Sequence, residues 1–246
     1  MAIVLASETI VNGAGGFANS VTLAAPSGMG TGDLDLVIAT FGCGVGSSFS
    51  ALSGYTALTG SPFAIDNGGS SRGQLGIWYK SADASPSSCA PAWNSYSRNY
   101  IAGRWRVTGV DLAGPIDVIG TVSEGAAAPS TSPTMTVTGA TTTTANCLAL
   151  CAFVWHSGLQ GGPPSYTASG WTASGLNSFT TFGTDKPSAV LMSKTIASAG
   201  STGTCVIDPE NNADATSADW LGVIFALKAD SSAPPAALKK ARVVWL

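Results

Sequence analysis

The strongest constraint on the fold of this chain is an internal repeat. Residues 21–23 (Val-Thr-Leu), which precede a turn-rich segment, correspond to residues 135–137 (Met-Thr-Val) at a shift of 114. The apolar run at residues 33–39 corresponds at the same shift to residues 147–153. A shift that successive segments share, in the same order, indicates that one structural unit occurs twice.

Two further segments continue the repeat. Residues 53–56 (Ser-Gly-Tyr-Thr) return as residues 169–172 (Ser-Gly-Trp-Thr) at a shift of 116. Residues 77–81 return as residues 191–195, again at a shift of 114. Loops between the segments absorb the small differences in shift, so the repeat predicts two related halves.

Both halves have the sequence pattern of β-strands. Alternating stretches such as residues 134–138 (Thr-Met-Thr-Val-Thr) predict strands with one buried face, and clusters of Gly, Pro, Ser and Asn predict the turns. More uniformly apolar runs at residues 34–41, 148–155 and 221–227 predict central strands, packed on both faces or covered by a neighbouring subunit. Only 10% of residues are charged, which does not favour long helices with exposed surfaces.

These patterns predict an all-β fold, namely a two-sheet, jelly-roll-like β-sandwich formed from two related halves. The predicted sandwich domain covers residues 1–230, with halves of approximately 1–124 and 125–230. Two small sandwiches in tandem, with a boundary near residues 125–133, are the alternative arrangement.

Residues 231–246 differ from the sandwich and are predicted to be a linker and an extended C-terminal attachment segment. Pro234 and Pro235 mark the linker, because proline does not join the interior of a sheet. The segment then combines basic residues with an apolar end, which favours docking on a partner. A tail that folds back on its own domain is the alternative. The predicted partner-binding residues of this segment are Leu238, Val243, Val244, Trp245 and Leu246.

Charge and hydropathy exclude several classes of partner. A scattered formal net charge of −3 does not favour nucleic-acid binding. The longest apolar stretch, at residues 145–155, is too short to span a bilayer, so no membrane partner is expected. The N-terminal residues lack the basic start and the apolar length of a secretory signal, and synthesis in a cytoplasm is expected.

The cysteines predict neither a disulfide scaffold nor a metal site. Cys147 and Cys151 would lie about 13 Å apart on one strand face, too far for a disulfide. With one histidine and no Cys-x-x-Cys motif, neither zinc nor another cofactor is expected. The five cysteines are therefore interpreted as small buried thiols.

Candidate catalytic residues lack the context that their chemistry requires. Residues 69–73 match the Gly-x-Ser-x-Gly pattern of serine hydrolases around Ser71, but that motif needs a strand before it and a helix after it. His156, the one histidine, ends an apolar strand, where a hydrogen bond to a loop is the simpler interpretation. Asp33 and Asp35 share a strand face and are expected in a turn-and-solvent role. No enzymatic activity is predicted.

One acidic loop has part of the spacing of a calcium site. Asp208, Glu210, Asp214 and Asp219 place oxygen donors at the first, third, seventh and twelfth positions. However, Ala213 stands where the turn requires glycine, and helices are not predicted on either side. A solvated loop before the final strand is the favoured interpretation.

Aromatic and arginine side chains suggest an interface. Arg104 and Arg106 flank Trp105 in a predicted strand, so both arginines lie on the face of the strand opposite to Trp105. That face is predicted to be polar and to bind a partner. Tyr55 and Trp171 occupy equivalent places in the repeats and are interpreted as core residues.

Four short motifs occur in order in the first half, at residues 32–36 (GDLDL), 54–56 (GYT), 78–80 (WYK) and 107–111 (VTGVD). This order resembles a broad group of tailed-bacteriophage proteins that have a GDLLLA, GWT, YYR and YRGVD succession. Lys80 departs from the group, where arginine is common.

The resemblance extends into the second half, so that it covers roughly residues 20 to 230. Residues 148–153, 170–172 and 222–227 fill the places of the apolar strand, the GWT-like element and the closing strand of the group. The resemblance implies an accessory virion component, such as a head decoration or a part of the tail or its fibres. It carries no catalytic residues.

The expected function is therefore that of a structural, non-enzymatic virion protein, docked on capsid or tail through its C-terminal segment. The expected partners are other virion proteins, with homo-oligomerisation left open, and the expected location is the virion after assembly in a bacterial cytoplasm. A lectin-like module that binds a surface glycan is the alternative. A hydrolase ranks last, for lack of an acid–base set.

Overall fold

The computed structural model describes residues 2–42, 48–66, 71–127, 135–156, 170–174, 178–179, 187–207 and 218–231. Their regular secondary structure consists of β-strands, which confirms the predicted all-β class and agrees with a β-sandwich. Within these ranges there is no helix of the length and apolarity needed to cross a membrane.

The first sheet is antiparallel and contains the first six strands. Its order is β1-β6-β2-β5-β3, and β4 also pairs with β5. The strands are β1 (Val4–Ser20), β2 (Leu34–Gly42), β3 (Thr56–Ala57), β4 (Phe63–Asp66), β5 (Ser71–Ser81) and β6 (Ala92–Thr108).

The second sheet is also antiparallel, with the order β7-β17-β11-β14-β12, while β8 pairs with β17 and β13 pairs with β14. Two short ribbons, β9–β16 and β10–β15, accompany it. The strands of this half are β7 (Ile116–Ile119), β8 (Ser123–Ala127), β9 (Met135–Val137), β10 (Thr141–Thr142), β11 (Cys147–His156), β12 (Thr172–Ala173), β13 (Ser178–Phe179), β14 (Pro187–Ile196), β15 (Gly200–Ser201), β16 (Cys205–Ile207) and β17 (Ala218–Leu227).

The two sheets have the same strand order and register. Strands β6, β2, β5 and β3 of the first sheet correspond to β17, β11, β14 and β12 of the second. Leu36 lies opposite Tyr79, and Leu150 lies opposite Ser193, so both partners shift by 114 residues. The predicted duplication, with Leu36 equivalent to Leu150, is confirmed by this register.

Each sheet takes its described strands from one half of the chain. The successive strands of a jelly roll alternate between its two sheets, and that alternation is not seen among the described strands. Strands β7 and β8, which lie around the predicted division near residue 125, pair with β17 of the second sheet. Strands β7 and β8 cover the edge of β17 in the second sheet, just as β1 covers the edge of β6 in the first sheet.

The two sheets pack face to face on an interior core. Alternate residues of the central strands β2 and β11 point into it, because successive side chains of a strand face opposite ways. Leu36, Trp105, Leu150 and Phe225 are members of this core and have almost no exposed surface.

The outer faces of both central strands are buried as well. Val37 and Phe41 of β2 pack under a cover that includes Leu23, which bridges to Cys89. In the second half, the outward residues of β11 pack under the β9–β16 ribbon. The prediction of central strands buried on both faces is confirmed, and the described cover comes from the chain itself.

Polar contacts fasten the ends of the halves. Lys228 Nζ lies 2.9 Å from Asp111 Oδ2. Asp117 of β7 accepts hydrogen bonds from the Thr143 backbone nitrogen and from the hydroxyls of Thr143 and Thr144, at 2.7 to 2.8 Å. Burial tends to raise the pKa of Asp117, but these hydrogen bonds outweigh burial and hold it below its ordinary value.

Candidate functional site

A buried ion pair lies at the centre of the outward face of the first sheet. Arg104 of β6 donates from Nε to Asp35 Oδ1 at 2.9 Å and from Nη2 to Asp35 Oδ2 at 2.7 Å. Both residues have 0% exposed surface. The two-point geometry suits a planar guanidinium and a carboxylate, and burial of either charge without the other would be strongly unfavourable.

The remaining donors of Arg104 hold the cover onto the sheet. Its Nη1 donates to the Ser87 carbonyl oxygen at 2.7 Å and to the Leu23 carbonyl oxygen at 3.3 Å. Its Nη2 also lies 4.0 Å from Met29 Sδ. One side chain therefore joins β2, β6 and two segments of the cover.

Tyr55 completes this arrangement, which we call the polar cluster: Asp35, Arg104, Tyr55 and Cys89. The Tyr55 hydroxyl donates to Asp35 Oδ2 at 2.6 Å. Lys80 Nζ lies 5.0 Å from the centre of the Tyr55 ring and pairs with Asp83 at 2.6 Å. Both carboxylate oxygens of Asp35 thus have donors.

The electrostatics of the polar cluster keep Tyr55, Cys89 and Arg104 in fixed protonation states. Burial, and then the hydrogen bond to Asp35, raise the pKa of Tyr55 far above its usual range. Burial also raises the pKa of the Cys89 thiol, against the Tyr55 hydrogen bond and the charge of Arg104. For Arg104, burial alone would lower the pKa, but Asp35 outweighs it and the pKa is raised. Near neutral pH these three groups stay protonated, so the cluster is suited to holding structure.

Arg106 makes a second, partly exposed ion pair at the margin of the cluster. Its Nε donates to Asp33 Oδ2 at 2.8 Å, and the same oxygen accepts from the Gly30 backbone nitrogen at 2.9 Å. The Arg106 side chain is 30% exposed. It can still contact a partner.

Two predictions about these residues need correction. Arg104 was predicted on a partner-binding face with Arg106, but its side chain is buried within its own chain. Asp35 was expected in a turn-and-solvent role with Asp33, yet Asp35 is also fully buried. The sequence does carry a signal for this burial, because Asp35 lies inside an apolar strand. A charged residue that is buried there requires an opposite charge on a neighbouring strand.

The second half lacks the ion pair at the equivalent place. Arg104 lies opposite Val37, and the corresponding pair is Ile224 opposite Cys151. The position that corresponds to Asp35 is Ala149. Apolar packing in one half therefore replaces the charge pair of the other.

The lysine–aromatic contact, in contrast, occurs in both halves. Lys194 Nζ lies 5.8 Å from the centre of the Trp171 ring, and Lys80 Nζ lies 5.0 Å from the centre of the Tyr55 ring. The two lysines occupy equivalent positions in the strand register, as predicted. Lys194 also donates to the Thr202 carbonyl oxygen at 2.8 Å. Trp171 is buried, as predicted, whereas Tyr55 is only partly buried.

Strand β1 forms an edge of the first sheet and pairs with β6 alone among the described strands. Val4 and Ile10, which are 49% and 36% exposed, are the two exposed large apolar side chains of the described residues, and both lie on β1. An edge strand carries backbone groups that can pair with another chain. The free edge of β1 is therefore the part of the described sheet that is open to association.

A groove of about 450 Å³ lies between β1 and the β12 region of the second sheet. Ser7, Glu8, Trp105 and Ser174 are among the residues that line it. Glu8 Oε2 accepts a hydrogen bond from Trp105 Nε1 at 2.7 Å. The groove therefore holds a carboxylate at the junction of the two halves, while the Ser7 and Ser174 hydroxyls have partners at Ser27 and Ser193.

Other predicted sites fall largely outside the described residues. The attachment residues Leu238 and Val243–Leu246 lie there, as do Asp208, Glu210 and Asp214 of the calcium candidate. Asp219 lies in β17, opposite His156. Within the described ranges, no group of three or more His, Cys, Asp or Glu residues could hold a metal ion.

The structure also places the two candidate catalytic residues. Ser71 is the first residue of β5, and the chain continues from it as a strand rather than as the helix that a nucleophile elbow requires. His156 is the last residue of β11, opposite Pro187 of β14. Ser71 and His156 thus belong to different sheets. No protein-family model matches this chain, and no curated protein matches it.

Proposed function

We propose that this protein is a structural, non-enzymatic component of a tailed-bacteriophage virion that functions by association with other virion proteins. It is assembled in the bacterial cytoplasm and attached to capsid or tail through residues 236–246. The motif order described above motivates the virion assignment. In the duplicated sheets both central strands are covered on their outward faces. Contacts with partners would therefore be made by the sheet edges and by the C-terminal segment.

The exposed edge of β1 is the observation that carries the association function. A six-stranded sheet with a long outer strand offers backbone pairing along β1. Val4 and Ile10 add one exposed apolar side chain on each face of that strand. The opposite edge differs, since β3 has only the two residues Thr56–Ala57. The described surface therefore favours docking at β1.

A substitution in β1 tests this edge directly. Ile10→Lys places a charge on the edge strand, which is a common way in which natural sheets prevent pairing. Ala57→Lys, at an exposed position on β3, is the matched control. We expect both variants to melt near the wild type, and only Ile10→Lys to lose incorporation into particles. Equal incorporation of both variants would refute docking at β1.

Truncation after Asp230 tests the attachment segment. The apolar residues Val243, Val244, Trp245 and Leu246 would favour burial by several kcal/mol before ordering costs. If they dock on a partner, the truncated protein keeps its melting temperature but no longer joins the particle. A large fall in melting temperature with normal incorporation would instead place the tail on its own domain.

The groove beside β1 favours one second candidate function, a lectin-like role. The Glu8 carboxylate, with the polar side chains of Ser7 and Ser174 beside it, can accept hydrogen bonds from a sugar. Glu8→Gln keeps the shape of the side chain and removes its charge. A glycan array on the soluble protein should show binding that this variant weakens, and an array without signal would eliminate the lectin role.

A further inference from the structure

Two thiols meet between the second sheet and its cover. Cys151 lies on the outward face of β11, and Cys205 lies on β16 of the β9–β16 ribbon. Both residues have 0% exposed surface and belong to the same apolar cluster. Both are free thiols and lie in the same layer between the second sheet and the ribbon. The spacing of Cys147 and Cys151 within β11 gives no indication of this pair, because Cys205 lies on a different strand.

The position of the ribbon explains this proximity. Cys205 lies directly opposite Val137 in the ribbon. A methyl group of Val137 packs against Gly222, beside Phe153, in the space that a larger side chain at residue 222 would fill. Gly222 lies opposite Phe153 on β11, two residues from Cys151 on the same face. The ribbon thus crosses the outward face of the second sheet close to Cys151, in the same apolar cluster.

The first half does not repeat this pair. Cys89 bridges to Leu23 as Cys205 pairs with Val137, so Cys89 is the counterpart of Cys205. However, the counterpart of Cys151 is Val37, which has no thiol. A thiol pair is therefore specific to the second half.

We propose that Cys151 and Cys205 are an oxidation site, at which an intramolecular disulfide joins the β9–β16 ribbon to β11. The oxidant is a low-molecular-weight disulfide such as oxidised glutathione. One cysteine thiolate attacks it and forms a mixed disulfide with release of one glutathione. The second thiolate displaces the other glutathione, so two protein thiols and one oxidised glutathione give one protein disulfide and two reduced glutathiones.

The same burial that brings the thiols together makes this reaction slow. Burial, and then the hydrogen bond and charge of Cys205, raise the pKa of Cys151 well above its ordinary value. The reactive species is the thiolate, so Cys151 stays reduced in a reducing compartment and reacts when the ribbon opens. Each strand of the ribbon has only three residues, which makes local opening accessible without global unfolding.

The test is oxidation of the folded full-length protein with oxidised glutathione. Free thiols are then blocked under acid conditions, and tryptic peptides are identified by mass spectrometry. Cys147 and Cys151 share one tryptic peptide, because neither Lys nor Arg separates them, so Cys147→Ala is used to assign the bond. We expect a cross-linked peptide that contains Cys151 and Cys205, with the loss of two hydrogen atoms.

A second readout is thermal unfolding with and without a reductant. A disulfide that closes this long loop should raise the melting temperature by roughly 5–10 °C, and reductant should reverse the gain. Cys151→Val, which copies Val37 of the first half, should remove the cross-link and the gain together. Cys89→Ala should keep both. Free thiols at Cys151 and Cys205 after prolonged oxidation, or a cross-link that forms only in denaturant, would overturn the proposal. It does not depend on the proposed virion function.

Discussion

Removal of one partner of the buried ion pair should destabilise the protein far more than removal of both. Asp35→Ala leaves the Arg104 guanidinium buried without its counter-charge, and Arg104→Ile leaves the Asp35 carboxylate in the same state. Breaking a buried pair in this way costs about 3–5 kcal/mol. For a chain of this size, that corresponds to a fall of roughly 10–15 °C in melting temperature.

The second half supplies the matched double variant. Asp35→Ala with Arg104→Ile reproduces the residues found at the equivalent positions, Ala149 and Ile224. Replacement of a buried ion pair by packed apolar residues is often neutral. The Tyr55 hydroxyl and two cover carbonyls would still lose their partners, so the expected net cost is about 1–3 kcal/mol.

Chemical denaturation of the four proteins gives the coupling free energy between the two positions. The double variant should be more stable than either single variant. The explanation would be refuted if the two single effects simply added in the double variant. It would also be refuted if Arg104→Ile alone had no measurable effect on the free energy of unfolding.

Further substitutions test the fold in other places. Leu36→Ala and Leu150→Ala should each destabilise by about 2–5 kcal/mol in urea unfolding, because both are fully buried at equivalent positions; a small effect at one of them would contradict the shared core. Gly103→Ala should destabilise by about 1–3 kcal/mol, since its methyl group would overlap an indole ring, whereas Gly30→Ala has open space and should change little. Asp117 has a lowered pKa, so its stabilisation is present at neutral pH and is lost as pH falls below the ordinary carboxyl range towards the folded pKa. Unfolding of Asp117→Asn should therefore show less loss of stability on acidification than the wild type, and identical pH profiles would contradict this.

The duplicated architecture could be predicted because its signals are local. Gly54 and Gly170 occupy equivalent turns with φ of 77° and 78°, a backbone region that favours glycine, and both glycines are visible in the sequence repeat. The apolar runs of β2 and β11 likewise indicate burial on both faces without knowledge of their neighbours.

The polar cluster could not be predicted in full, because it depends on strand order and register. Asp35 and Arg104 are 69 residues apart in the chain and meet only because β2 and β6 are neighbours. Local alternation predicted Arg104 on a partner-binding face and Asp35 in a turn-and-solvent role. The pairing of β7 and β8 with β17 depends in the same way on a long-range contact.

The division of the chain into one sheet per half also governs the order in which it can fold during translation. The six strands of the first sheet are complete once Thr108 has left the ribosome, whereas the opposing sheet ends at Leu227. At typical rates of synthesis, the intervening stretch of about 120 residues takes on the order of ten seconds. Throughout that interval the face that carries Leu36 and Trp105 has no opposing sheet. A ribosome-bound chain that is arrested in this interval should therefore bind a chaperone, and one arrested after Leu227 should release it.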